Sequence, residues 1–494
     1  MAQDSQGWVF YDPATGRLIR SASVIFKEDI FPRLGKKGKI DLNLIELNNI
    51  FDDRLIREMQ EQDKCLHLLN VSSMYCNGAP TTYHEAKKTP QALELMTACK
   101  EELMNLKDMD VWEEVEHDSN TKTLGTRWVF ALKMDSNGKP IRHKAQLVVQ
   151  GHRKVRGINF EETFAPTPLF ATLRSILAIA RNRSWKVNTF DVTSAYLHSK
   201  INKAILVRPP PGVTIGENKV LKLKRALYGL KQAGRCWWIH LKNILQEVGF
   251  NANENNQRTY TYKHGGEYAV LWIHVDDGVL VASSDIVMEK LKLELATRLK
   301  LKWDEGINSI VGIEVKREDS HFKANKPLPN IKLESSPASQ IDHDYLSAIG
   351  MILYLAQATR PDVMYAVNYL ARLAMNAQEN HWKALKQLID YINTTNNQHL
   401  KIGGDHTRNT MEVYVDANWG GEGSRSQHGF CILFHGTMVA WNSRQQSCIA
   451  SSTCQAEYMA LSFAEREVLW LVSNVEDVIG QQRPILMSDN KSAI

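Results

Sequence analysis

The chain has 494 residues, 43% hydrophobic and 23% charged, a balance that excludes a disordered polymer and accommodates roughly two to four domains. A net charge of +5 permits a polyanionic partner without demanding one. No uninterrupted apolar run is long enough to cross a bilayer, Met1 to Arg20 lacks the apolar stretch of a signal peptide, and the seven cysteines form no CxxC pair, so neither a disulfide framework nor a zinc site is indicated and a reducing compartment fits best.

In chain order, Gly7-Trp8-Val9-Phe10-Tyr11-Asp12-Pro13 reads as a strand entering a turn, and Gly35-Lys36-Lys37-Gly38-Lys39 as a basic loop. Residues 77–90 have linker character. From Pro90 the patterning sharpens. Met96, Cys99, Leu103 and Leu106 recur at spacings of three and four, which predicts one apolar helix face. Trp128 to Lys133, the turn Asp135-Ser136-Asn137-Gly138 and the return run Ala145 to Val149 predict a hairpin. Thr172 to Asn182 reads as a helix and Val187 to Val192 as a strand. Ala269 to Val275 and Val279 to Ala282 are apolar strands joined by Asp276-Asp277-Gly278, where Asp-Gly favours a positive φ.

Ser284-Asp285 then caps a helix with the stripe Val287, Leu291, Leu295 and Leu299. A helical region covers Tyr345 to Ile392, and Arg360-Pro361-Asp362 starts a new helix within it, because proline suits a first turn. A last block begins near Thr410. Met411, Val413 and Val415 alternate with polar residues as in a half-buried strand. Phe430 to Phe434 and Met438 to Trp441 are further strands, Cys454 to Val472 a helix, and Pro484 to Met487 a final strand.

Two adjacent carboxylates, Asp276 and Asp277, occupy the tip of the apolar hairpin. Alone they fit a tight turn and a metal site equally well. Asp191, at the end of the apolar strand Val187 to Val192, favours the metal site. Phosphoryl transfer onto a growing strand uses two metals about 3.5–4 Å apart. One carboxylate from each of two neighbouring strands can bridge both ions, and Mg²⁺ prefers such hard oxygen ligands.

The blocks Lys144-Ala145-Gln146-Leu147-Val148, Phe164-Ala165-Pro166, Phe190-Asp191-Val192 with Ala195-Tyr196-Leu197, Ala226-Leu227-Tyr228-Gly229-Leu230-Lys231-Gln232 and Val275-Asp276-Asp277 resemble, in that order, the reverse transcriptase of copia-type retrotransposons. Ile349-Gly350, Leu353-Tyr354-Leu355-Ala356, Thr359-Arg360-Pro361-Asp362 and His381-Trp382-Lys383 resemble the same family's connection to its ribonuclease H. The resemblance implies an α+β fold: a right-hand polymerase of fingers, palm and thumb, followed by a truncated α/β ribonuclease H-like domain. It also implies RNA-directed DNA polymerase activity with Mg²⁺ (or Mn²⁺), an RNA or DNA template-primer and deoxynucleoside triphosphates. Asp191, Asp276 and Asp277 match the family's catalytic carboxylates, with Asp191 and Asp276 as metal ligands. Lys144, Tyr196, Tyr228, Gly229, Lys231 and Gln232 match its nucleotide and template contacts. Tyr196 corresponds to the position beneath the incoming sugar that rejects a 2′-hydroxyl, although spacing alone fits a core aromatic. Gly229 would let backbone approach a base pair closely, or act as a simple helix cap.

Glu457 lies four residues before Leu461 and shares the inward stripe Leu461, Ala464, Val468 and Leu471. An inward carboxylate needs a partner, which a metal can supply, while the helix N-terminus is the plainer explanation. Asp416, Glu457 and Asp489, on strand end, helix and strand end, resemble the metal-binding set of ribonuclease H. The family's fourth aspartate and nearby histidine have no counterpart here, so impaired hydrolysis is expected. Gly7 to Phe26 resembles the tail of the family's integrase region.

The implied organisation is an integrase-tail remnant and linker over 1–80, polymerase fingers and palm over 90–320, a shortened thumb and connection over 321–405, and the ribonuclease H-like domain over 410–494. The chain is read as a segment of a longer polyprotein, acting in the cytoplasm, in virus-like particles or in the nucleus. Three basic positions of the family are occupied by Gln146, Gln150 and Leu169, which weakens charge-assisted phosphate contacts. Arg142, His143, Lys144, Arg153 and Lys154 remain nearby, equally as a solvated loop or a phosphate contact. The alternative expectation is therefore a catalytically weakened or inactive relic that keeps the fold and nucleic-acid binding.

Overall fold

The computed structural model describes residues 8–12, 17–21, 80–118, 121–134, 140–151, 162–253, 259–317, 322–324, 341–374, 377–403, 410–420 and 424–490. The basic loop at 35–39, the turn at 135–138, Ser23 to Phe26, Arg153 and Lys154 lie outside them. β1 (Trp8–Asp12) and β2 (Arg17–Ser21) pair antiparallel, and residues 13–16 between them lie outside the described residues. No helix among the described residues is long and apolar enough to cross a membrane.

The short helix α1 (Tyr83–Ala86) opens on Thr82, whose side chain and Glu85 form a capping box. α2 (Ala92–Asp108) packs against a hairpin of β4 (Thr126–Met134) and β5 (Pro140–Val149), while β3 (Trp112–Glu116) pairs elsewhere. The buried face of α2 is Leu95, Ala98, Cys99 and Leu106. Met96 and Leu103 sit at its margin, so the predicted stripe is rotated about one position.

α3 (Phe170–Asn182) and β6 (Lys186–Val192) follow, then a 3₁₀ turn at Ala195–His198. β7 (Leu206–Val207) and β8 (Lys219–Leu223) join β3 in a three-stranded sheet of order β3-β8-β7. α4 (Ala233–Val248) leads into β9 (Phe250–Ala252), β10 (Thr259–His264), β11 (Glu267–His274) and β12 (Asp277–Ala282). α5 (Asp285–Ala296) and β13 (Leu301–Asp304) complete a six-stranded antiparallel sheet of order β13-β6-β12-β11-β10-β9.

Helices cover both faces of this sheet, which explains the unbroken apolar runs in β11 and β12. Val270, Trp272, Val279 and Val281 face the core that contains α3. Leu271, Ile273, Leu280 and Ala282, one residue out of phase, face the core formed with α4 and α5. The Ser284 hydroxyl caps α5 by accepting from the Val287 N–H. That helix ends at Ala296, so Leu299 is buried from beyond its end rather than within the stripe.

The β11–β12 turn differs from the expectation. His274 pairs with Asp277, leaving Val275-Asp276 as the two-residue loop, and the positive φ falls on Val275 at 58°. A β-branched residue is held there by tertiary bonds. Trp237 Nε1 of α4 donates to the Val275 carbonyl at 2.7 Å, and the Val192 N–H donates to the Asp276 carbonyl at 2.8 Å. Gly278 is an ordinary strand residue, required for another reason: a Cβ there would lie 2.1 Å from the Phe190 ring.

β14 (Ser309–Ile310), β15 (Ile313–Arg317) and β16 (Phe322–Ala324) form a small sheet that β17 (Leu400–Ile402) completes after the helices α6 (Ile341–Ala358), α7 (Met364–Arg372) and α8 (Glu379–Thr394). Pro361 opens the predicted new helix as a 3₁₀ turn running into α7. β18 (Glu412–Asn418), β19 (Gln427–Phe434), β20 (Thr437–Gln445) and β21 (Ile485–Met487) make the last sheet, of order β20-β19-β18-β21, with only β18–β21 parallel. α9 (Thr453–Ile479), longer than anticipated, packs on it through Leu461, Ala464, Val468 and Leu471.

One core runs from α3 and the central sheet into this last sheet and α9, across the boundary drawn near 405–410. Arg174 of α3 crosses the same boundary. Its guanidinium is 7% exposed and donates to the carbonyls of Val439, Gln357 and Ala358 at 2.8–2.9 Å, stacked 3.9 Å from the Trp441 ring. Burial lowers its pKa to about 9, so it stays charged at neutral pH. Arg174→Met leaves those carbonyls without their donor and is expected to lower unfolding stability by about 2–4 kcal/mol in denaturant titrations. Gly278→Ala should cost about 1–3 kcal/mol through overpacking. The double variant with Phe190→Ala should cost less than the sum of the singles, since the two side chains compete for one space.

Candidate metal centres

Antiparallel pairing sets Asp191 of β6 directly opposite Asp277 of β12, and the β11–β12 turn adds Asp276 beside them. Asp191 is exposed, whereas Asp276 and Asp277 are half-buried. The three carboxylates therefore share one end of the central sheet, as the sequence predicted. Two phenols border them. Tyr228 and Tyr196 lie with ring centroids 4.7 Å apart. Burial pushes the Tyr228 phenol well up, with Asp276, Tyr196, Glu102 and Asp191 adding to the shift. Burial likewise raises the Tyr354 phenol, helped by Asp277, and its hydroxyl donates to the Val311 carbonyl. Tyr228 and Tyr354 thus remain protonated at neutral pH.

The backbone after Asp191 is shaped to present Tyr196. Ser194 adopts a left-handed φ of 57°, and Asn105 of α2 donates to its hydroxyl at 2.9 Å. Gly229 is left-handed at φ 85°, and a Cβ there would lie 2.1 Å from the Val149 carbonyl of β5. Its glycine is therefore required by contact with a strand of this chain, and the helix-cap alternative does not apply because α4 starts at Ala233. Lys231 is exposed, whereas Gln232 is 1% exposed and turned inward. Lys144 is half-buried near Glu102. Burial raises the Glu102 carboxyl, while the Leu147 N–H and the Lys144 charge oppose that rise. Arg142 reaches Glu101 at 3.9 Å. Gln146 and Gln150 are half-buried, and Leu169 is the residue before α3, giving no side-chain cap.

The second centre converges more tightly. Asp416 lies on β18, Asp489 follows the parallel strand β21, and Glu457 projects from α9. Their carboxylate oxygens lie within 4.8 Å of one another; among the described residues no other trio of candidate ligands does so, Asp191, Asp276 and Asp277 included. Glu457 is 6% exposed. Its Oε1 accepts from the Ala417 N–H at 3.2 Å, and its Oε2 has no hydrogen-bond partner. Burial raises its carboxyl, the Ala417 N–H opposes this, and repulsion from Asp416 and Asp489 adds to it. A buried carboxylate oxygen without a donor, facing two more carboxylates, is a hard-oxygen donor set that fits Mg²⁺.

Some neighbours gave no sequence signal. Trp237, which pins the Val275 carbonyl, sits in an ordinary amphipathic helix. His428, 7% exposed, stacks on Phe463 at 4.8 Å, and burial with the nearby Arg444 and Arg466 charges lowers its pKa to about 4. A lone histidine in an alternating strand does not announce such surroundings.

A family model described as reverse transcriptase (RNA-dependent DNA polymerase) matches residues 109–327, which hold the first centre. The chain is 28% identical over 456 residues to the retrovirus-related Pol polyprotein from transposon TNT 1-94 of Nicotiana tabacum, covering 84% of this chain and 34% of that one. It is 28% identical over 405 residues to the Pol polyprotein from transposon RE1 of Arabidopsis thaliana (76% and 28% covered). Against the transposon Ty1-JR2 Gag-Pol polyprotein of Saccharomyces cerevisiae it is 25% identical over 467 residues (83% and 25%). The chain spans about a quarter to a third of the length of these relatives. The ordered motifs around Asp191 and Asp276, the matched reverse transcriptase segment and relatives that cover most of the chain together support its place among the Pol polyproteins of copia-type retrotransposons.

Proposed function

We propose that the first centre performs RNA-directed DNA synthesis by two-metal nucleotidyl transfer. The observation that carries this reading is the register Asp191–Asp277, with Asp276 locked beside it through its own carbonyl. In this reading the central sheet with α4 and α5 is the palm, the β4–β5 hairpin with α2 belongs to the fingers, and α6 to α8 form the connection. Asp191 and Asp276 hold Mg²⁺, supported by Asp277. Ions held there would supply activation of a primer 3′-hydroxyl and neutralisation of the triphosphate. Tyr196 lies under the incoming sugar, where its ring excludes a 2′-hydroxyl. The protonated Tyr228 keeps that floor uncharged, and Lys231 and Lys144 face phosphate. The partners are a template-primer and deoxynucleoside triphosphates.

The last sheet with α9 is proposed as a ribonuclease H-like domain in which Asp416, Glu457 and Asp489 bind Mg²⁺, the carboxylate oxygens replacing mutual repulsion with coordination. A second reading keeps metal and nucleic-acid binding without turnover. It is favoured by the wider spacing of Asp191, Asp276 and Asp277 and by the uncharged Gln146, Gln150 and Leu169.

Primer extension on a homopolymer RNA template with Mg²⁺ or Mn²⁺ separates the two. Extension should disappear in Asp276→Asn and Asp191→Asn, and Tyr196→Ala should admit ribonucleotides. Folded protein that extends nothing in either metal is the outcome expected of the second reading. At the other centre, millimolar Mg²⁺ should raise the thermal midpoint of the wild type, since a ligand of the folded state at 100 times its Kd adds about 2.7 kcal/mol. Part of that rise should vanish in Glu457→Gln. Cleavage of a labelled RNA–DNA hybrid, lost in the same variant, would make the three carboxylates sufficient for hydrolysis.

A further inference from the structure

A cavity of about 750 Å³ opens between α4, the end of α5 with the run into β13, and the segment that follows Asp191. Four cations line it: Lys200, Arg225, Arg298 and Lys300. Among the described residues no carboxylate does. The volume falls in the range of small-molecule sites, roughly 300–1,000 Å³. Arg225 is fixed in place, one nitrogen donating to the carbonyls of Leu197 and His198 at 3.1 Å each. Lys200 and Lys300 are exposed, and among the described residues neither has a carboxylate within 4 Å. Arg298 is shared with Glu247 at 3.5 Å, outside the lining.

Two histidines of the lining register the resulting field. Burial is the largest cause that lowers both His198 and His240. Arg225 lowers both further and Lys300 lowers His198, against a hydrogen bond from His198 to the Thr193 carbonyl and, at His240, the charge of Glu247. Grouped like charges along one wall raise the local concentration of anions. Guanidinium and ammonium groups at separated points suit a ligand with several phosphate oxygens. Asn202 and Asn243 add neutral donors at the same wall.

We propose that this cavity binds phosphate groups, supplied by a free nucleotide or diphosphate or by the backbone of a bound nucleic-acid strand. The site is distinct from the carboxylate centre, although the buried Trp237 lies behind both. Its ring lies 6.1 Å from His198 and 6.2 Å from His240, and its Nε1 holds the Val275 carbonyl. The proposal stands whether or not the chain polymerises, because its test reads binding alone.

The test is calorimetric titration of the full chain, in EDTA and low salt, with inorganic pyrophosphate and separately with a twelve-nucleotide single-stranded DNA. EDTA removes metal-mediated capture at the carboxylates. Lys200→Ala/Lys300→Ala should weaken binding about tenfold or more, as expected for the loss of two charge-assisted contacts. Asn243→Glu, on an exposed position of α4, should do the same by charge alone while leaving the thermal midpoint near wild type. Loss confined to pyrophosphate assigns the site to free phosphates. Weakening of the oligonucleotide as well, with a salt slope shallower by about 1–2, assigns it to a strand. Wild-type protein that binds neither probe, or folded variants that bind both with wild-type affinity, would overturn the proposal.

Discussion

A single buried cation joins the two halves of this molecule. Arg174 leaves α3, a helix whose other face covers the central sheet, and ends among the carbonyls of Gln357, Ala358 and Val439. Trp441 closes over it, and the indole N–H of Trp441 donates in turn to the Ala356 carbonyl at 2.9 Å. A guanidinium withdrawn from water is costly unless dipoles replace the lost hydration. Here three carbonyls and an aromatic face do so, and each belongs to a different element from the arginine. The helix end at Ala358 and the strand β20 are thereby fixed relative to α3. With the core that runs across the same boundary, Arg174 ties the elements that carry the two carboxylate centres into one framework.

Within the first half, strand register does the positioning. A slip of one residue between β6 and β12 would turn every side chain to the opposite face. It would also bring Asp191 opposite Gly278 or Asp276 instead of Asp277. Phe190 and Gly278 oppose such a slip, because the ring fills the space that any other residue at 278 would need. The turn is secured independently through Trp237 and Val192. The glycine next to the carboxylates is thus a packing lock rather than a turn device.

That difference shows what the sequence could reveal. Apolar runs at 187–192 and 269–282, the Ser284 cap and the alternation from Met411 to Val415 were legible because each reports local physics: burial period, cap chemistry, strand alternation. The same holds for Glu457, whose place on an apolar stripe predicted its burial. The positive φ at Val275 was not legible, because bonds from residues 38 and 83 positions away in sequence hold it. Gly229 looked like an approach to a ligand, and its glycine is required by the Val149 carbonyl. Arg174 reads as a surface residue in any window. Short strands such as β7, β9 and β14 carry too few residues to show a period, and exist because a longer neighbour offers them an edge.

The two centres differ in what brings their carboxylates together. At the first, two strands already hydrogen-bonded to each other deliver Asp191 and Asp277, so proximity follows from the sheet and needs little further expenditure of packing energy. The oxygens stay further apart and Asp191 faces solvent, so this centre is the more open of the two. At the second, β18, α9 and the segment after β21 must all dock before Asp416, Glu457 and Asp489 meet. Their repulsion raises the Glu457 carboxyl and opposes that docking. The core behind them, from Leu461 to Leu471 of α9 against β18 and β19, has to outweigh it. A centre assembled by tertiary packing against its own charge is the one whose geometry a divalent cation would stabilise most, whereas the register-built pair is fixed before any cation arrives.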